Sequence, residues 1–175
     1  MTKIRSSFMA PQIDPEKVAQ ILREVAEQCI MPRYKQLQQG EISSKTGPND
    51  LVTIADREAE IALEDRLTRL IPGSLVVGEE GVSEGRVSTE LIKSKDTIVW
   101  VVDPVDGTYN FVHGKAEFGM LLACVVNGDV IHGWLYDILG NRMLIAEKGK
   151  GAFINGQRIQ TAAPKDNLSD MVGHA

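Results

Sequence analysis

Basic excess is what this chain most plainly lacks. Its 19 Lys and Arg stand against 24 Asp and Glu, for a formal net charge of −5 and a pI near 5.2. A nucleic-acid backbone is a poor partner for such a surface. An acidic chain can still take an anionic substrate if cations lie between the two. Cysteine is nearly absent, with only Cys29 and Cys124 in 175 residues. One falls in a helical pattern and the other in an apolar strand pattern, so the expectation is two buried thiols in a reducing compartment. His113, His132 and His174 lack the spacing of metal ligands and read as ordinary surface or core residues. No apolar run approaches the ~20 residues of a membrane span. Met1 to Ala10 carry Lys3 and Arg5 but no apolar h-region, so no secretion signal is expected and the protein is read as cytoplasmic. There is no internal repeat and no low-complexity segment.

What remains is 43% hydrophobic and 25% charged, the make-up of an ordinary globular domain with enough apolar material for a core. Its organising stretch begins with the apolar run Ile98 to Val102, which reads as a buried strand. The run leads into Asp103-Pro104-Val105-Asp106-Gly107-Thr108. Asp-Gly is a turn signal, and Gly107 removes the side chain that would keep a ligand off the backbone. Thr108 then opens a short helix. Two carboxylates, a hydroxyl and the free N–H groups of a helix start thus converge beside a strand end. Carboxylates suit a hard divalent cation, and helix N–H groups suit a phosphate.

The rest of the chain frames that stretch. Asp14-Pro15-Glu16 starts a helix, with an Asp cap, a Pro at the first position and an acid in the first turn. Val18, Ile21, Leu22, Val25 and Cys29 keep helical spacing, and Pro32 kinks or ends it. Ile42 to Asn49 is polar and turn-rich. Thr53 with Asp56 forms a capping box with Asp in place of Glu, and the helix it opens should run to Ile71 with Ala59, Leu63, Leu67 and Leu70 facing inward. Leu75-Val76-Val77 is a short strand ending in Gly78-Glu79-Glu80. Gly81 to Lys95 reads as a mobile loop with a helical turn around Leu91. Beyond Gly114, Phe118 to Val126, Val130 to Tyr136, Arg142 to Glu147 and Ala152 to Ile154 are strands separated by turn signals, which predicts an antiparallel meander. Trp100 and Trp134 sit in strand patterns and belong to the core. Gly149-Lys150-Gly151 is a hairpin turn, not a P-loop, because the preceding glycine is wrongly spaced and no Ser or Thr follows the lysine.

The stretch Asp103-Pro104-Val105-Asp106-Gly107-Thr108-Tyr109-Asn110-Phe111 resembles the signature of the inositol monophosphatase family, Asp-Pro-(Ile/Leu/Val)-Asp-Gly-Thr-x-Asn-Phe, with every fixed position filled. Two further segments match in order: Asp50-Leu51-Val52-Thr53-Ile54-Ala55-Asp56, and Gly78-Glu79-Glu80. An isolated Asp-Gly would by default be a solvated turn. Three segments in sequence outweigh that reading.

The resemblance implies an α+β fold, the N-terminal domain of an inositol-monophosphatase/fructose-bisphosphatase-like protein. Two helices would pack on a mostly antiparallel sheet, and the C-terminal α/β domain would be missing. It places a loose arm at 1–13, the metal-binding catalytic domain at 14–165 and the start of a truncated second domain at 166–175. It implies a magnesium-dependent, lithium-sensitive phosphatase that hydrolyses a small phosphate monoester, foremost inositol 1-phosphate, by metal-activated water, and a homodimer. Asn110 favours the inositol-phosphate branch. Histidinol phosphate, fructose 1,6-bisphosphate and 3′-phosphoadenosine 5′-phosphate remain alternative substrates.

Carried over residue by residue, Glu79, Asp103, Asp106 and the Val105 carbonyl are the metal ligands. Asp56, Glu79 and Thr108 are catalytic, with Asp56 and Thr108 the water-activating pair and Glu79 a rival general base. Asp106, Gly107 and Thr108 bind substrate. Lys45 matches a family lysine on a loop near the metals, or is a solvated loop charge. Glu80 supports the ligands from behind, and Asp50 stabilises a turn. The family's further aspartate, in Trp-Asp-x-Ala-Ala-Gly, is not in this sequence. The alternatives are therefore an incompetent metal-binding half that needs a C-terminal domain, and a purely structural domain.

Overall fold

The computed structural model describes residues 12–45, 47, 50–163 and 167. Most of the expected arm and of the start of a second domain, with His174, lies outside them. Ile13, assigned to the arm, is buried in the core at 6% exposure.

Helix α1 (Pro15–Val25) begins as its sequence dictates, with Asp14 Oδ1 accepting from the backbone N–H groups of Glu16 (3.0 Å) and Lys17 (3.4 Å). Val18, Ala19, Leu22 and Val25 form its buried face. The chain then widens into a π turn at Ala26–Ile30 and tightens into a 3-10 turn at Met31–Arg33. Pro32 accounts for both, since it has no N–H to return to the Gln28 carbonyl and its ring crowds that oxygen.

Strands β1 (Ile42–Ser44) and β2 (Leu51–Thr53) pair as an antiparallel hairpin in a stretch the sequence presents as loop. Helix α2 (Ile54–Leu70) follows directly. Ala59, Leu63 and Leu67 are fully buried, and Leu70 packs at the margin of the core.

The remaining elements are β3 (Leu75–Gly78), α3 (Glu79–Ser83), β4 (Ile98–Asp106), α4 (Thr108–Val112), β5 (Gly119–Val126), β6 (Asp129–Asp137), β7 (Arg142–Glu147), β8 (Gly151–Ile154) and β9 (Gln157–Ile159). The seven strands β3 to β9 form one sheet in chain order. Only β3 and β4 run parallel, and every later pair is antiparallel. The meander is as expected, with β9 added. Strand β4 also runs past Val102 to Asp106, with a register shift between Asp103 and Asp106 where Pro104 offers no N–H.

Helices α1 and α2 cover one face of the sheet. Trp100 is fully buried there, donating Nε1–H to Ser74 Oγ (3.0 Å), and its ring lies 6.2 Å from that of Trp134. On the other face Val77, Val99 and Val125 are covered by Val82, Val87, Leu91 and Ile92. The segment expected as a mobile loop is thus a packed cover, with a 3-10 turn at Thr89–Lys93. Farther along this face, Leu121, Leu135, Leu144 and Ile154 pair strand to strand in one register row, and Leu135 remains 40% exposed. Both cysteines are free. Burial pushes the Cys124 thiol up to about 12, whereas Cys29 is only half-buried.

His132, on β6, is buried and stacks on Trp134, and neither ring nitrogen has a hydrogen-bond partner. Burial holds its pKa below the ordinary 6.5, against the pull of nearby Glu147. The native state therefore resists a proton that the unfolded chain accepts, and stability falls as pH drops through that range. His132→Phe should lose stability less than the parent between about pH 7.5 and about pH 5.5, measured as the difference in Tm. Parallel slopes for the two proteins would refute this account of His132.

Candidate active site

The parallel pair β3–β4, the one such pair among the described residues, brings the candidate residues together. Gly78 is in register with Val102, the last pair of the parallel ladder, so Glu79 and Asp103 are the next residues along two neighbouring strands that run in the same direction. Glu79 opens α3, and Asp103 continues β4. Glu79, Asp103, Val105, Asp106, Gly107 and Thr108 line one cavity of about 250 Å³, together with Asp50, Leu51 and Tyr109. A mainly apolar groove of about 570 Å³ shares Glu79 and Asp103 with it.

Asp103 is the most strained member electrostatically. Its Oδ1 is buried with no hydrogen-bond partner. Burial, then the charge and hydrogen bonding of Glu79, then the charges of Asp106 and Asp56, push its pKa up to about 8. Glu79 and Asp106 are exposed. A buried carboxylate oxygen with no partner, under the charges of Glu79 and Asp106, fits a hard divalent cation. Among the described residues, however, no three His, Cys, Asp or Glu side chains converge tightly enough to make a ready cation cage.

Asp56 and Thr108 meet as the sequence suggested. Asp56 Oδ2 accepts from the N–H (2.9 Å) and the hydroxyl of Thr53, closing the capping box that starts α2. Its Oδ1 lies 3.1 Å from Thr108 Oγ1, which is also 2.8 Å from the Val105 carbonyl. A hydroxyl has one proton, so Thr108 donates to one of the two at a time. Burial raises the Asp56 pKa against the hydrogen bonds from Thr53 and Thr108.

Gly107 holds φ at +86°, and a Cβ there would sit 2.8 Å from the Glu117 carbonyl, so the turn into α4 requires glycine. Helix α4 has no side-chain cap on its opening N–H groups, and with five residues its dipole is correspondingly small. Phe111 anchors it in the core, stacked with Tyr34 and edge-on to Phe118. Asn110 Nδ2 donates to the Glu117 carbonyl (2.8 Å) and so closes the next loop.

Lys45 is not a solvated loop charge. Its Nζ donates to Glu79 Oε1 (2.8 Å) and Glu80 Oε1 (2.7 Å). Burial works against its charge, but the two carboxylates outweigh it and raise the pKa. Glu80 is 2% exposed, and its contact with Lys45 places it behind Glu79 rather than in the cavity lining. Asp50 closes the β1–β2 turn, its carbonyl accepting from the Lys45 N–H (2.8 Å).

Sequence reasoning missed Glu60. This α2 carboxylate is 4% exposed and accepts from the backbone N–H groups of Glu80 (2.7 Å) and Gly81 (2.8 Å). It fixes the turn that presents Glu79. The signal was available, because Glu60 stands four residues after Asp56, a charge set into the buried stripe of a helix.

The sequence profile of the "Inositol monophosphatase family" matches residues 14–173. The chain belongs to the inositol monophosphatase family. It is 39% identical over 132 residues to a fructose-1,6-bisphosphatase/inositol-1-monophosphatase of Thermotoga maritima, covering 75% of this chain and 47% of that protein. It is 38% identical over 125 residues to bovine (Bos taurus) inositol monophosphatase 1, covering 71% and 44% respectively. Among solved structures it matches a Thermotoga maritima IMPase with a TM-score of 0.72 at 34% identity, covering 84% of this chain and 53% of that one. The extragenic suppressor protein suhB of Bartonella henselae matches with a TM-score of 0.70 at 30% identity, covering 85% and 55%. The chain spans about half the length of these family members. Among the described residues no helix is long and apolar enough to cross a membrane.

Glu60→Gln keeps the side chain's size but turns an amide N–H₂ toward a backbone N–H. It should lower the unfolding free energy by about 1–3 kcal/mol in urea titrations. An unchanged midpoint would mean that the two bonds do not support the turn.

Proposed function

We propose that this chain carries the metal-binding half of a magnesium-dependent phosphatase acting on a small phosphate monoester, foremost inositol 1-phosphate. The observation that carries the reading is the buried, unpartnered Oδ1 of Asp103, set among like charges at the parallel strand ends. Glu79, Asp103, Asp106 and the Val105 carbonyl would hold magnesium. The bound ion would neutralise them, polarise the phosphate and lower the pKa of water.

The chain's own residues supply the rest. Thr108, with its proton directed to Asp56 Oδ1, keeps its lone pairs free to accept a proton from the attacking water. Asp56 is then the terminal base, its position fixed by Thr53 and its basicity raised by burial. Glu79 is the competing base. The N–H groups of Gly107 and Thr108 would bind phosphate oxygens at close range, with Asp106 beside them. Fructose 1,6-bisphosphate, histidinol phosphate and 3′-phosphoadenosine 5′-phosphate are the other candidate substrates. Lithium inhibition, a homodimer and a cytoplasmic location belong to the same proposal, and sedimentation measures the assembly.

A second reading has its own support. No tight carboxylate cage exists among the described residues. In that reading the half binds the cation but turns over only when joined by a C-terminal half.

Phosphate release from inositol 1-phosphate should require magnesium and fall more than about 100-fold in Asp103→Asn or Asp106→Asn. Thr108→Val should cost about 10²–10⁴-fold in kcat. Turnover that persists in EDTA would overturn the metal reading. No turnover alone, restored by adding a C-terminal half, would select the second one.

A further inference from the structure

Glu79, which lines the carboxylate cavity, already has a cation partner in the chain itself. Lys45 Nζ contacts Glu79 Oε1 and Glu80 Oε1 together, and its side chain is 11% exposed although it stems from a hairpin loop. We propose that Lys45 is a built-in counter-cation that occupies Glu79 in the metal-free protein and must release it when a divalent cation binds. The inference rests on the reading of this cavity as a divalent-cation centre.

The geometry gives the exchange a direction. Glu80 is buried in α3, and the backbone N–H groups of Glu80 and Gly81 are fastened to Glu60, so Glu80 cannot follow a departing partner. The Glu79 side chain is 48% exposed and can turn. The Lys45 backbone is pinned to Asp50, while its ammonium sits on a flexible four-carbon stem. Lys45 therefore keeps Glu80 and yields Glu79. A carboxylate oxygen that accepts two hydrogens from neighbouring cations can be shared, but an ammonium and a divalent ion on one exposed carboxylate repel each other at contact range. The metal-free protein gains a fixed Glu79 from this arrangement, and the metal meets a competitor.

The competing role for Lys45 is to bind substrate phosphate, and the two make opposite predictions. Magnesium should be titrated calorimetrically into the cation-free chain, parent against Lys45→Met, with thermal melts in EDTA and in magnesium. As a counter-cation, Lys45 should weaken magnesium binding, so the variant's Kd should fall by about tenfold, the scale of one charge-assisted hydrogen bond. Its Tm should be lower than the parent's in EDTA, and the magnesium-induced rise should be larger. An unchanged or weaker magnesium affinity overturns the proposal. If Lys45→Met fails to fold because Glu80 is stranded, the double variant Lys45→Met with Glu80→Gln removes both charges, and the same tightening is required of it. A folded parent chain that binds no magnesium would sink the metal-centre reading itself. A parent that binds, with a variant that binds no tighter, sinks only the role given to Lys45.

Discussion

Like charges crowded at the ends of two parallel strands are the constraint on which this structure turns. Asp56, Glu60, Glu79, Glu80, Asp103 and Asp106 all gather there, and carboxylates out of water repel and raise one another's pKa. Each buried one has a different local remedy. Glu60 accepts two backbone N–H groups, Asp56 accepts from Thr53 and Thr108, and Glu80 has Lys45. Asp103 alone keeps a buried oxygen with no partner, and its pKa rises accordingly to about 8. The remedies separate the carboxylates that the fold completes by itself from Asp103, whose Oδ1 it leaves without a hydrogen-bond partner.

Topology explains why the crowding falls where it does. An antiparallel pair sends successive strand ends to opposite edges of a sheet, so a meander alone could not bring Glu79 beside Asp103. The β3–β4 pair is the exception, and its register carries straight into those two residues. Parallel strands need a crossover. Here the crossover is Glu79 to Thr97, and it also packs Val82, Leu91 and Ile92 over the second face of the sheet. One connection thus sets both the carboxylate turn and the small second core beneath it.

Much of this was legible before the structure. Period and caps placed α1 and α2, turn residues placed the meander, and three short segments named Asp56, Glu79, Asp103, Asp106 and Thr108. What the sequence could not show is telling. The β1–β2 hairpin is too short and polar for any period to register, so Lys45 looked as much like a loop charge as a site residue. Gly81 to Lys95 has the composition of a loop, yet a few spaced aliphatic residues pack it down. The apolar run that marks β4 stops at Val102, whereas backbone pairing continues through Asp103 and resumes at Asp106 after a register shift. In each case a tertiary contact decided what local propensity left open.

The open face of the sheet bears on the same site. Asp103 is in register with Leu121, which continues through Leu135 and Leu144 to Ile154, so a carboxylate heads an otherwise aliphatic row. The groove beside it shares Glu79 and Asp103 with the carboxylate cavity. A surface that buried the row as far as Leu121 would lie against this groove. Removing water there lowers the local dielectric and strengthens every charge contact inside. Asp103 would become harder to ionise alone and more strongly held by a cation. Covering that end of the apolar row and placing a cation beside Asp103 would then be coupled, because both would act on the carboxylate whose Oδ1 is buried without a hydrogen-bond partner.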